Sequence, residues 1–255
     1  MMINKKNCSF FPTIKYLRTK ATRALYSLNS KLNIYRTPIR TALRIFDAII
    51  RPILLYASEV FEPYSAFDQK KWENGDIERA HMQFLKRILG VNRSATNILV
   101  RGELGRHTLQ EEVLRGTIGH AKSMQEKDDS YLVKQAYYYE MSTDLTKNNY
   151  LLKIHEAAPK IHEIHQCFEP YADPYQNIYN IPVGKLKKYT KEIFHTQWKA
   201  DLAESTKGET YRLFKDKMEF EKYLDLPNRK ERVSLTKFRV SDHKLGIEEG
   251  RRCTL

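Results

Sequence analysis

The chain has 255 residues, 41% of them hydrophobic and 29% charged, with only 10 Gly and 9 Pro. That balance excludes a disordered polypeptide and a turn-rich β architecture, and favours helices around a sizeable core. The formal net charge is +13 and is uneven: residues 1–60 hold 11 Lys/Arg against 2 acids, residues 61–184 hold 15 against 17, and residues 185–255 hold 18 against 12. A positive excess at both ends suits a polyanionic partner. The three cysteines, Cys8, Cys167 and Cys253, form no C-x-x-C pair, which fits a reducing compartment. Residues 1–20 contain no sustained apolar run, and the most apolar stretch, 45–61, is interrupted by Asp47, Arg51, Pro52 and Glu59. The expectation is a soluble cytoplasmic or nuclear protein with no membrane segment.

In chain order, Leu17, Ala21, Ala24, Leu25, Leu28 and Leu32 make one stripe of a helix over 15–33. Thr37-Pro38 reads as an N-cap followed by proline at the first helical position. Residues 39–60 are apolar around most of their circumference, as in a helix buried between others, with Arg40, Arg44, Asp47 and Arg51 as the one polar stripe. Pro52 predicts a kink or break. A loop over 62–66 precedes a helix from Asp68 or Asp76 to Leu89, with Lys86 and Arg87 in its last turn and Gly90 after it. Helices are predicted over 94–104, 108–127, 131–141 and 149–166, then over 183–205, 209–226 and 228–240. Residues 167–182 carry Pro170, Pro174 and Pro182 and read as a linker. No stretch alternates cleanly, and no internal repeat is present.

None of the chemistry-bearing constellations is complete. Asp128-Asp129 falls between two helices and reads as a solvated boundary. Tyr171-Ala172-Asp173-Pro174 lacks the second acid that a two-metal polymerase loop requires. His155, His162, His165 and Cys167 are the densest group of possible metal ligands, but their spacing matches no zinc motif, so no metal and no cofactor is expected. Glycine-rich phosphate loops and a nucleophile elbow are absent. Trp72 and Trp198 read as core, and the run Tyr137-Tyr138-Tyr139, although able to stack bases, reads as one face of a packed helix.

Two segments carry more than generic helical pattern: residues 20–28, centred on Arg23-Ala24-Leu25-Tyr26, and Ile50-Arg51-Pro52-Ile53-Leu54-Leu55-Tyr56-Ala57-Ser58-Glu59-Val60-Phe61. The second resembles the Pro-x-Leu-x-Tyr-Gly/Ala-x-Glu-x-Trp motif in the thumb of non-LTR (LINE-type) retrotransposon reverse transcriptases, with Phe61 in place of the usual Trp. Phe84-Leu85-Lys86-Arg87-Ile88-Leu89-Gly90-Val91, Val100-Arg101-Gly102-Glu103-Leu104-Gly105, and residues 235–243 and 247–251 resemble later segments of the same family.

The resemblance implies an all-α fold: a thumb-like helical bundle over 1–91, a helical connector over 92–166, the linker over 167–182, and a basic helical region over 183–255 that leads toward a Cys/His module. It places the fingers and the catalytic palm upstream of Met1, so no catalysis is expected of this chain, although the parent family is an RNA-directed DNA polymerase. The implied role is sequence-independent binding of RNA, DNA or an RNA–DNA hybrid through the phosphate backbone, with no small-molecule substrate. The candidate phosphate ligands are Lys20, Arg23, Lys31, Arg36, Arg40, Arg44 and Arg51. The competing expectations are a helical protein-interaction scaffold and a decayed element product without function.

Overall fold

A computed structural model describes residues 11–61, 68–142 and 183–242. Among them the chain is helical and contains no strand. The elements are α1 (Phe11–Leu32), α2 (Ile39–Ile45), a π-helical turn (Phe46–Ile50), α3 (Arg51–Leu54), α4 (Ser58–Phe61), α5 (Gln69–Glu73), α6 (Asp76–Leu89) and α7 (Asn97–Leu104). They continue with α8 (Gln110–Glu126), α9 (Leu132–Ser142), α10 (Val183–Glu204), α11 (Gly208–Arg212), a 3₁₀ turn (Lys222–Asp225) and α12 (Arg229–Arg239). The expected loop at 62–66, the helix at 149–166 with its histidines, and the 167–182 linker lie outside the described residues.

The chain divides into two compact units, 1–22, 50–80 and 107–197 on the one hand, and 23–49, 81–106 and 198–255 on the other. In the first, Trp72 is buried and its indole N–H donates to Glu78 Oε2 at 2.9 Å. The same oxygen accepts the backbone N–H of Leu109 at 2.9 Å, at the start of α8. A helix start leaves its first N–H groups without helical partners, so a buried carboxylate there both satisfies a donor and meets the positive end of the helix dipole. Arg51 Nη1 donates to Glu112 at 2.7 Å, and Arg18 pairs with Asp76. Helix α4 packs on α8, where a Cβ added at Gly116 would lie 3.7 Å from that of Glu59.

In the second unit, Phe46 stacks on Phe84 with ring centroids 4.5 Å apart and on His81 at 5.3 Å, and Ile34, Ile39 and Leu85 are also buried in that unit. Trp198 is buried as expected and donates its indole N–H to the Ile98 carbonyl at 3.0 Å. A polar knot lies at the C-terminal end of α7. Glu103 is 0% exposed and accepts Arg239 Nε on both oxygens, at 3.0 and 2.9 Å, together with the hydroxyl of Tyr223. Arg239 also reaches Glu221 Oε2 at 3.3 Å, and Glu221 pairs with the buried Lys215. Two carboxylates thus face two cations. Burial, and then the charge of Glu103, push the hydroxyls of Tyr211 and Tyr223 far above the ordinary tyrosine range, so both are permanent donors.

Several elements differ from the sequence reading for identifiable reasons. The predicted helix over 209–226 survives only as α11 and the 3₁₀ turn. Between them the Glu221 N–H donates to the Glu103 carbonyl at 3.0 Å, supplying the partner that the end of α7 lacks. Gly105 permits this approach: its φ is +58°, and a Cβ there would lie 2.6 Å from the Phe220 nitrogen. Gly90, after α6, has a φ of +72°. Thr37 does not cap α2. Pro38 occupies the N-cap position, and the Thr37 hydroxyl donates to the Ile34 carbonyl at 2.7 Å. Residues 39–60 are not buried all round, since Ile49, Tyr56 and Val60 are exposed. Pro52 sits just after the π turn, where a missing N–H is accommodated by a change in helical bonding.

Glu103→Ala should lower unfolding free energy by about 3–5 kcal/mol, the usual effect of removing one member of a buried ion pair and stranding the other. Urea denaturation followed by circular dichroism measures it.

Candidate nucleic-acid interface

The candidate cations come from the sequence around α1 and α2. Helix α1 has its apolar stripe on Leu17 and Ala21, which are buried, and this leaves Lys20, Arg23 and Lys31 exposed. Arg36 is exposed in the turn that follows, where Asn33 takes a left-handed φ of 49° and the Arg36 N–H donates to the Asn33 carbonyl at 2.7 Å. Arg44 is exposed on α2. Arg23, Lys31, Arg36, Arg40 and Arg44 belong to the second compact unit, Lys20 and Arg51 to the first.

The seven cations are not equivalent. Arg40 is exposed but committed: its Nε donates to both oxygens of Asp225, at 2.8 and 3.0 Å, and its Nη2 donates at 2.9 Å. Its guanidinium also lies over the Phe220 ring, 4.0 Å from the centroid. Arg51 is half-buried and bound to Glu112. Asp47, on the same sequence stripe, holds Arg106 through two hydrogen bonds. The step from Arg44 to Arg51 is also not an α-helical one. The π turn lying between them bonds i to i+5, so the phase expected from seven residues of α-helix does not hold.

The structure adds a residue whose sequence signal was only that of a last-turn cation. Arg87 of α6 is exposed, and its guanidinium carbon lies 5.7 Å from the Tyr35 ring centroid and 5.9 Å from that of Tyr26. Its Nη1 donates to the Tyr35 hydroxyl at 3.3 Å. The i, i+3 spacing of Arg23 and Tyr26 makes them neighbours on α1. A guanidinium close to two phenol rings, in the same unit as Arg23, Lys31 and Arg36, adds π surface to that unit's cations.

In the first unit, the three consecutive tyrosines do not form one face. Tyr137 is buried, Tyr138 donates to Asp129 at 2.9 Å, and Tyr139 is 69% exposed. Successive helical residues are about 100° apart, so three in a row cannot share a packed side. Asp128 and Asp129 are exposed, and the backbone N–H of Ser130 holds the Asp128 carboxyl below its ordinary range. Among the described residues there is no group of three His, Cys, Asp or Glu placed to hold a metal ion, and no helix long and apolar enough to cross a membrane. Comparisons with protein-family models, curated proteins and solved structures find no match to this chain.

The Arg40–Asp225 pair has a titration signature. The hydrogen bond from Arg40 holds the Asp225 carboxyl below its ordinary value of 3.8. A depressed folded-state value means that the pair's contribution is present above the unfolded value and is lost as pH falls through the folded one. Carboxyl NMR titration should place the Asp225 midpoint below 3.8, and Arg40→Gln should move it upward.

Proposed function

We propose that the chain binds the sugar–phosphate backbone of RNA or an RNA–DNA duplex without regard to sequence, in the manner implied by its resemblance to the thumb region of non-LTR reverse transcriptases. The observation that carries the reading is the set of exposed cations Arg23, Lys31, Arg36 and Arg44 in one compact unit, on a chain of net charge +13. Phosphate contacts need mobile, solvent-facing Lys and Arg, and they supply affinity and register rather than base recognition. Arg40 and Arg51 are secondary members of the set, because each holds a carboxylate. In this reading the chain binds and does not catalyse. Its one pair of adjacent aspartates, Asp128-Asp129, is exposed, and no strand flanks it among the described residues.

A second reading, a helical scaffold for another protein, is favoured by Leu213 and Phe238, which are large, apolar and exposed in the second unit. The two readings differ in the response to salt. Binding through phosphates releases counterions, so log K falls linearly with log salt by about 0.9 per contact. Changing Arg23, Arg36 and Arg44 together to Gln should flatten that slope by about 2–3, equally for unrelated sequences. Fluorescence anisotropy with an RNA–DNA hybrid over a salt series measures it. An unchanged slope in a folded variant removes these residues from the interface, and absence of binding at low salt leaves the scaffold reading.

A further inference from the structure

Cations account for phosphate contacts, but they give no reason for the placement of Tyr26. This ring is 58% exposed on α1, in the second unit. A structural tyrosine would turn its apolar ring inward, as Tyr211 does, which is fully buried. Tyr35 is intermediate: its ring lies 6.4 Å from that of Phe84, which is itself stacked on Phe46 in the core. Tyr35 is therefore anchored. Its hydroxyl and ring hold the Arg87 guanidinium, and the guanidinium in turn lies within 5.9 Å of the Tyr26 ring centroid. An exposed guanidinium and an exposed phenol are thus held close together by a contact that runs into the core.

We propose that Tyr26, backed by Arg87, is a stacking platform for an unpaired base of single-stranded RNA or DNA. The inference rests on the phosphate-binding reading and specifies the form of nucleic acid. Every base has a π face, so an aromatic ring accepts any of the four, and an arginine beside it adds cation–π attraction. Arg23, one helical turn before Tyr26, and Lys31 and Arg36 after it supply charge for the backbone of the same strand. A blunt duplex offers no free base face. The platform therefore favours a single strand or an overhang, whereas phosphate contacts alone would hold both forms.

The test compares a twelve-nucleotide oligo(U) with a blunt RNA–DNA hybrid, both measured by anisotropy over a salt series, for the full chain and three variants. Tyr26→Ala should weaken oligo(U) binding by roughly 5- to 150-fold, with its salt slope and the affinity for the blunt hybrid unchanged. Tyr26→Leu, which keeps apolar bulk but has no π face, should behave in the same way. Tyr26→Phe should bind like the parent chain. Unchanged oligo(U) affinity in the Ala or Leu variant overturns the platform, as does an equal loss for both ligands, and the phosphate reading then stands without it. If the parent chain binds neither ligand at low salt, both fall together.

Discussion

A carboxyl group with no exposed surface must have its polar atoms met inside the protein, and Glu103 is such a group. Its partners determine how the second compact unit is assembled. Arg239 comes from the end of α12, Tyr223 from the 3₁₀ turn, and the Glu221 N–H caps the backbone carbonyl of Glu103 itself. The aromatic rings of Phe214, Tyr223 and Tyr211 lie 4.6, 5.3 and 5.9 Å from the Arg239 guanidinium carbon, so π surface flanks the charge. Substituting apolar residues for the whole cluster could give comparable stability, but losing one member alone leaves an unmatched charge. The segment from residue 213 to 221 is irregular because its polar groups serve this knot instead of a helix of their own.

The same second unit carries the exposed cations, and the contrast is instructive. Arg239 and Lys215 are consumed internally, Arg40 is consumed at the surface by Asp225, and Arg23, Lys31, Arg36 and Arg44 face solvent. Net charge alone does not reveal this division. What matters for a polyanion is the number of cations not already opposed by carboxylates, because only those release counterions when a phosphate replaces them.

The all-α class was legible in the sequence because it depends on local periodicity. Of the apolar stripe expected on α1, Leu17 and Ala21 are buried, Ala24, Leu25 and Leu28 are half-buried and Leu32 is exposed, while Gly90 and Gly105 follow α6 and α7 as left-handed residues do. Asp68 and Asn228 begin helices by accepting N–H groups three and two residues ahead. The pairing of the candidate cations was not legible, because it is non-local. Arg40 meets an acid 185 residues away and Arg51 one 61 residues away, so one-dimensional spacing could not separate bound from open cations. The π turn altered the phase on which the basic stripe was drawn, and Arg87 gains its meaning from Tyr26 and Tyr35, which lie on a different part of the chain.

In the proposed function, nucleic acid lies along the exposed cations and ring of the α1–α2 region. Photo-cross-linking of a bound strand carrying 4-thiouridine, with adducts mapped by peptide mass spectrometry, locates it directly. The account predicts adducts on peptides containing Tyr26, Lys31 and Arg36, suppressed by competitor heparin. Adducts confined to the Lys127–Tyr139 region of the first unit, where Tyr131, Tyr138 and Tyr139 are also exposed, would contradict it.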